Sequence, residues 1–358
     1  MYAKIIKPVL FRLEPEKVHD LVTSLGEAVS HAGIMNSAVK AMYSYNHPML
    51  ESEVMGIRFR NPVGLAAGFD KNARLMGFMP SIGFGFEEVG SITAEPCKGN
   101  PRPRLWRLPA DRALIVNYGL ANMGAKVLAE KLKERGSSIP IGISVAKTND
   151  DMTEEQAIED YKKAYALLDG LGGYTAVNVS CPNTSDGQTW CYPGNMRKLL
   201  NAMKGLPHKK PVLVKIKPDH SLDEMDEIVS VLKQHRWVNG IIISNLTRHR
   251  EGLKASSRFL QAHPQGGISG KPVEHLAEPL IRYAYHRTKG KLVIVGCGGI
   301  FSAEDAYRKI KLGSSLVQLI TGMIYKGPGL IKEINKGLVR LMKADGYRNI
   351  SEAIGANN

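Results

Sequence analysis

The sequence predicts an α/β protein built as a single (β/α)8 TIM barrel with an N-terminal two-helix extension. Three observations carry that prediction. From residue 62 onward, short β-branched runs alternate with longer helical patterns, the mark of repeated βα units around a parallel sheet. The apolar runs number eight, which is what a closed barrel needs. The chain has 358 residues, 43% of them hydrophobic, enough apolar material for one large core, so two domains are not required.

Taken in order, the predicted strands are 62–66, 86–91, 139–145, 175–180, 211–216, 240–245, 291–296 and 316–319. Between them, 154–171 reads as a helix, because Thr153 and Gln156 are spaced for a capping box and Gly172-Gly173 stops it. The stretches 222–234, 276–288 and 303–312 read likewise. Residues 1–45 stand outside this rhythm, and 46–358 would form the catalytic barrel domain. Ile5, Ile6, Val9, Leu10 and Leu13 make one helical stripe, with Lys4, Lys7 and Arg12 between them. Glu14-Pro15-Glu16 is a break and restart, since proline is tolerated in a first helical turn and acids there complement the helix dipole. Val18, Leu21, Val22, Leu25 and Val29 form the second stripe. Such a pair of amphipathic helices either packs back on the barrel or lies on a membrane surface.

Composition excludes several classes. The formal net charge is +14, but the basic residues are spread along the chain, and no recognised motif or aromatic-interleaved basic stretch supports nucleic-acid binding. Cys97, Cys181, Cys191 and Cys297 show neither metal-ligand spacing nor a disulfide framework, so no metal is expected and a reducing cytoplasm fits best. No uncharged apolar run is long enough to span a bilayer, which leaves peripheral membrane contact. The lack of an Arg- and Ser-rich leader points to a bacterial chain.

Barrel active sites lie at the carboxyl ends of the strands. The first strand ends in Gly64-Leu65-Ala66-Ala67-Gly68-Phe69-Asp70-Lys71, where small residues admit a flat ligand and Lys71 supplies a cation. The fourth ends in Asn178-Val179-Ser180-Cys181-Pro182-Asn183-Thr184, the fifth carries Lys215, and the sixth ends in Ser244-Asn245. The last two end in Gly296-Cys297-Gly298-Gly299 and Thr321-Gly322, at the position where barrels commonly bind phosphate through backbone amides. A Gly266-Gly267-Ile268-Ser269-Gly270 turn after the sixth strand points the same way. A dinucleotide-binding fingerprint is not evident.

The run Asn178 to Thr184 resembles the NxSxPN signature of the dihydroorotate dehydrogenase family. Gly64 to Lys71, Pro101 to Leu108, Val214-Lys215-Ile216, Gly266 to Pro272, Gly296 to Ile300 and Lys326-Gly327-Pro328 resemble further segments of it. Leu13-Glu14-Pro15-Glu16-Lys17-Val18-His19 resembles the start of the membrane-associated, quinone-using class 2 enzymes. The resemblance implies oxidation of (S)-dihydroorotate to orotate in pyrimidine synthesis, with FMN taking the hydride and a quinone taking the electrons. It implies a peripheral location on the cytoplasmic side of the cell membrane. By the same resemblance Cys181 is the catalytic base, and Lys71, Asn117, Asn178, Asn183, Thr184 and Asn245 hold the substrate. For FMN the resemblance and the glycine loops together give Ala67, Gly68, Lys71, Ser91, Ser144, Asn178 and Lys215. Ser244, Ser269, Gly270, Gly298, Gly299, Thr321 and Gly322 complete that set.

The chain also departs from the family pattern. Class 2 enzymes usually carry serine where this chain has Cys181, the choice associated with class 1; a thiol deprotonates more readily than an alcohol, which suits removal of a C5 proton. Val116 stands where a substrate asparagine is expected, with Asn117 beside it, and Leu246 replaces a threonine. Ser144 replaces an asparagine, and Ile320 replaces a tyrosine often found beside the quinone site. Two other readings keep the barrel: the same flavin chemistry with fumarate or NAD as acceptor or a related dihydropyrimidine as substrate, and a non-catalytic flavin-binding paralogue.

Overall fold

The computed structural model describes residues 2–134, 136–185 and 189–358. Eight parallel strands close into a barrel: β1 (Val63–Leu65), β2 (Phe86–Ile92), β3 (Ile141–Val145), β4 (Tyr174–Asn178), β5 (Val212–Ile216), β6 (Val238–Ile243), β7 (Val293–Cys297) and β8 (Leu316–Leu319). Each pairs with its sequence neighbours, and β8 closes on β1 through Val317–Val63 and Leu319–Leu65. Every one of the predicted strands is present, displaced by two residues at most at either end. Strands buried on both faces read as continuous apolar runs, and helices packed outside them supply the second apolar layer of the core.

The barrel floor is closed by an antiparallel hairpin, Ser52–Val54 with Ile57–Phe59, whose two turn residues Met55 and Gly56 have φ of 55° and 71°, the geometry of a type I′ turn. From it Phe59 enters one buried cluster with Phe86, Tyr174, Leu213 and Leu316. That apolar plug directs the open, functional end to the carboxyl side.

The helix predicted at 154–171 spans Glu154–Leu168, with both bonds of the capping box formed. It stops before the glycine pair, at Asp169, whose backbone is extended and whose carboxylate accepts from the Lys209 backbone N–H. The Gly266–Gly270 segment, expected as a turn, is instead a strand. Gly267–Gly270 pairs antiparallel with Ala113–Val116, which pairs with Leu105–Leu108. This three-stranded sheet stands over the barrel mouth. The N-terminal segment differs from expectation too, since two helical stripes become three helical stretches. Tyr2–Leu10 is irregular helix, α1 spans Pro15–His31, and α2 spans Gly33–Tyr43 after a break at Ala32. Glu14 caps α1 by accepting from the Glu16 and Lys17 backbone N–H groups.

Candidate active site

The carboxyl ends of the strands open into one cavity of about 530 Å³. Cys181, Lys71, Asn178, Asn183, Asn245, Lys215, Ser91, Ala67 and Gly68 all line it. It runs without interruption under the sheet to the apolar side chains of Ile6, Leu10, Val18, Leu21, Val22 and Leu25. The polar groups are pre-set by one another. Asn178 Nδ2 donates to Ser91 Oγ at 2.8 Å, and its Oδ1 accepts from the Ser180 N–H and hydroxyl, both at 3.1 Å. Asn245 Nδ2 donates to Ser180 Oγ at 3.0 Å. Asn183 Oδ1 is buried without a hydrogen-bond partner among the described residues, an acceptor that a ligand donor would satisfy. Cys181 forms no disulfide and is half-buried in the cavity wall.

Lys71 Nζ sits 3.8 Å from the centre of the Tyr118 ring, a cation–π contact. Burial pulls its ammonium down to about 8. His19 on α1 faces the same end of the cavity; burial, then the Lys71 charge, push its pKa down to about 4, so the imidazole is neutral at pH 7. Its Nε2 lies 2.8 Å from the Phe69 carbonyl, which accepts from a ring N–H there. Arg107 also lines the cavity and donates to the Leu13 carbonyl at 2.7 Å.

A second, smaller cavity of about 80 Å³ adjoins the first, sharing Ala67, Lys215, Asn245, Leu246, Ser269, Ile320 and Thr321. Its own lining includes Ser244, Gly270, Gly298, Gly299 and Gly322. Gly298 and Gly299 have φ of 101° and 76°, and a Cβ on Gly299 would stand 2.4 Å from Glu274 Cβ, so only glycine fits. Ser269 and Thr321 hydroxyls meet at 2.9 Å. A small chamber floored by glycine backbone and edged by the Ser244, Ser269 and Thr321 hydroxyls, beside a wider, mainly apolar one, fits a phosphate-tailed, flat ring system.

Three predicted residues lie outside both cavities. Asn117 bonds Asn100 at 3.0 Å and Gln265 at 3.3 Å; it follows Val116, which does line the cavity, and successive residues of a strand face opposite ways. Thr184 has its hydroxyl 3.4 Å from the Cys181 carbonyl. Ser144 is fully buried behind Ser91, hydroxyl to hydroxyl at 2.7 Å, so it orients Ser91. Sequence reasoning missed His19, Arg107 and Tyr118. It also missed the buried pair of Arg104 and Glu16, which ties α1 to the sheet with a 2.8 Å contact. Three arginines within 102–107 were the available signal, since so dense a cluster near a core needs anions and carbonyls to satisfy it.

Barrel, glycine cradle and polar mouth define an α/β-barrel enzyme with its site at the carboxyl ends of the strands. The sequence profile described as dihydroorotate dehydrogenase matches residues 49–342. A protein named dihydroorotate dehydrogenase (quinone) from Roseiflexus castenholzii is 39% identical, over 100% of this chain and 97% of its own. One of the same name from Corynebacterium efficiens is 40% identical over 97% and 91%. A crystal structure of an Eimeria tenella dihydroorotate dehydrogenase in complex with ferulenol superimposes with a TM-score of 0.85 at 29% identity, covering 98% of each chain. The chain belongs to the dihydroorotate dehydrogenase family, whose cofactor is a flavin.

Proposed function

We propose that this protein oxidises (S)-dihydroorotate to orotate with FMN as hydride acceptor and returns the electrons to a quinone at a membrane surface. The observation that carries the reading is the single cavity joining Cys181 and the asparagine set to the apolar faces of Ile6, Leu10, Val18 and Leu25. A polar substrate end and an apolar acceptor end in one space suit a two-substrate oxidoreductase. Relatives bearing the name dihydroorotate dehydrogenase (quinone) support the acceptor.

FMN, when bound, supplies the hydride acceptor; the smaller cavity with Gly298, Gly299 and Thr321 would hold its phosphate, and the strand ends at Ala67, Gly68 and Ser91 its ring. Cys181 Sγ takes the C5 proton. Lys71 meets the substrate carboxylate, and the Asn178, Asn183 and Asn245 amides meet ring carbonyl and N–H groups. Lys215 provides the cation that stabilises charge arriving with the hydride. Val116, Pro182 and Leu246 exclude water from one side of the chamber.

Membrane contact rests on the N-terminal region. Ile5, Val9, Leu25, Ile34, Met35 and Met42 are exposed there at 63%, 59%, 56%, 92%, 55% and 63%, interleaved with Lys4, Lys7, Arg12 and Lys40. An apolar face rimmed by basic residues suits the interface of an anionic bilayer, and among the described residues no helix is long and apolar enough to cross one. Steady-state assay with dihydroorotate and either a short-chain quinone or fumarate tests the function, with turnover expected on quinone. Turnover on fumarate alone, or extraction of a flavin other than FMN, would contradict it.

A further inference from the structure

Behind the flavin site the barrel interior holds a buried charge that the mechanism above does not use. Glu88 on β2 is fully buried and lines neither cavity. Its Oε1 lies 3.4 Å from Lys215 Nζ. Its Oε2 accepts from Gln318 Nε2 at 2.8 Å and from the Tyr174 hydroxyl at 3.1 Å. Below these groups lies the apolar plug of Phe59, Phe86 and Leu213. Lys215 lines both cavities with its side chain only 4% exposed. Glu88 on β2 and Cys297 on β7 act on Lys215 directly, and Tyr174 on β4 and Gln318 on β8 bond the far side of Glu88. Burial pushes the Tyr174 phenol and the Cys297 thiol upward, so both are neutral at pH 7. Glu88 is thus the one acidic side chain in contact with Lys215 among the described residues.

We propose that Glu88 is a positioning residue that keeps the Lys215 ammonium charged and in place in both redox states, and thereby fixes how many protons the flavin takes up on reduction. The inference rests on the flavin reading above. An isolated buried cation is expensive, whereas a pair whose remaining lone pairs are hydrogen-bonded is tolerated. With Lys215 charged throughout, reduction consumes two electrons and one proton, and the single negative charge left on the reduced ring is met by an ammonium already present. Without Glu88, Lys215 faces only neutral groups in a low-dielectric interior, and burial favours the free amine while the flavin is oxidised. The charge arriving with the electrons then draws a proton onto Nζ, so reduction consumes two electrons and two protons.

The test is a spectroelectrochemical titration of the flavin in the full-length holoprotein at a series of pH values near neutrality, after flavin content has been measured by extraction. One extra proton per two electrons changes the reduction equilibrium tenfold per pH unit, which is about 30 mV. The wild type is expected to slope by about 30 mV per pH unit, and Glu88→Gln by about 60 mV. Glu88→Ala serves the same purpose where the glutamine variant does not fold. Glu88→Asp keeps the wild-type slope. A two-proton slope in the wild type, or a one-proton slope in a flavin-loaded Glu88→Gln or Glu88→Ala, would overturn the proposal. A preparation that yields no flavin at all would instead overturn the flavin reading beneath it.

Discussion

Replacing Glu16 with glutamine should loosen α1 from the barrel while leaving the barrel itself intact. Glu16 is 3% exposed, and it accepts from Arg104 Nη2 at 2.8 Å and Nε at 3.1 Å. Burial alone would raise its carboxyl, but the Arg104 and Arg102 guanidiniums hold it below the usual range. Arg102 is 63% exposed, so its share is small. Arg104 is 8% exposed, and the substitution leaves it buried without an anion, a change that costs about 3–5 kcal/mol. At about 1.4 kcal/mol per tenfold, amide exchange through local opening of Pro15–His31 should accelerate by roughly 100-fold or more. Because the native carboxyl is depressed, the pair's contribution is present above the unfolded pKa of about 4.3 and is lost as pH falls through the native value. Exchange of the barrel strands should not change and the KM for quinone should rise, while the alkaline fall in flavin reduction by dihydroorotate should move to lower pH, because Glu16 is the foremost charge supporting the Lys71 ammonium. Unchanged protection across α1 at neutral pH would refute the view that this pair anchors the helix.

Other predictions follow from the same geometry. With Lys71 held down to about 8, it binds the substrate carboxylate as an ammonium below that pH, so kcat/KM should fall as pH rises through about 8. Lys71→Met should abolish that alkaline limb along with most substrate affinity. Glu87 is fully buried, and burial together with the charge of the nearby Asp70 raises its pKa. Its unfolded carboxyl titrates near 4.3, so stability is fully present below that pH and declines as pH rises toward the native value. Glu87→Gln should therefore gain about 1–3 kcal/mol at neutral pH and flatten the profile, measured by denaturant melts. Ile34→Asp with Met35→Asp removes two exposed apolar side chains, worth about 1.5–3 kcal/mol each when buried. Co-sedimentation with anionic liposomes should weaken at least about tenfold, with flavin reduction by dihydroorotate unaffected.

The barrel was legible because each strand is a local apolar run between glycine- and proline-marked turns, and β8 matched its predicted bounds at Leu316–Leu319. Local signals also gave the Thr153 helix start and the helix over Leu222–Gln234. The sheet over the mouth was not legible, because Gly267–Gly270 reaches Ala113–Val116 across about 150 residues of chain and its glycines carry no strand preference. Most of the mouth was readable, since Lys71, Cys181, Asn183 and Asn245 follow directly from strand ends. Asn117 turned away because strand alternation assigns the cavity face to Val116. The roles of His19 and Glu88 depend on burial and on partners distant in the chain, which no local pattern encodes.

The account depends most on Cys181 removing the C5 proton while the hydride leaves C6. Stopped-flow reduction of the bound flavin by dihydroorotate, without oxygen or quinone, isolates that step from everything at the acceptor end. Cys181→Ala should reduce its flavin about 10²- to 10⁴-fold more slowly than wild type with substrate affinity little changed. A variant that reduces its flavin at the wild-type rate would make Cys181 a packing residue and contradict the account.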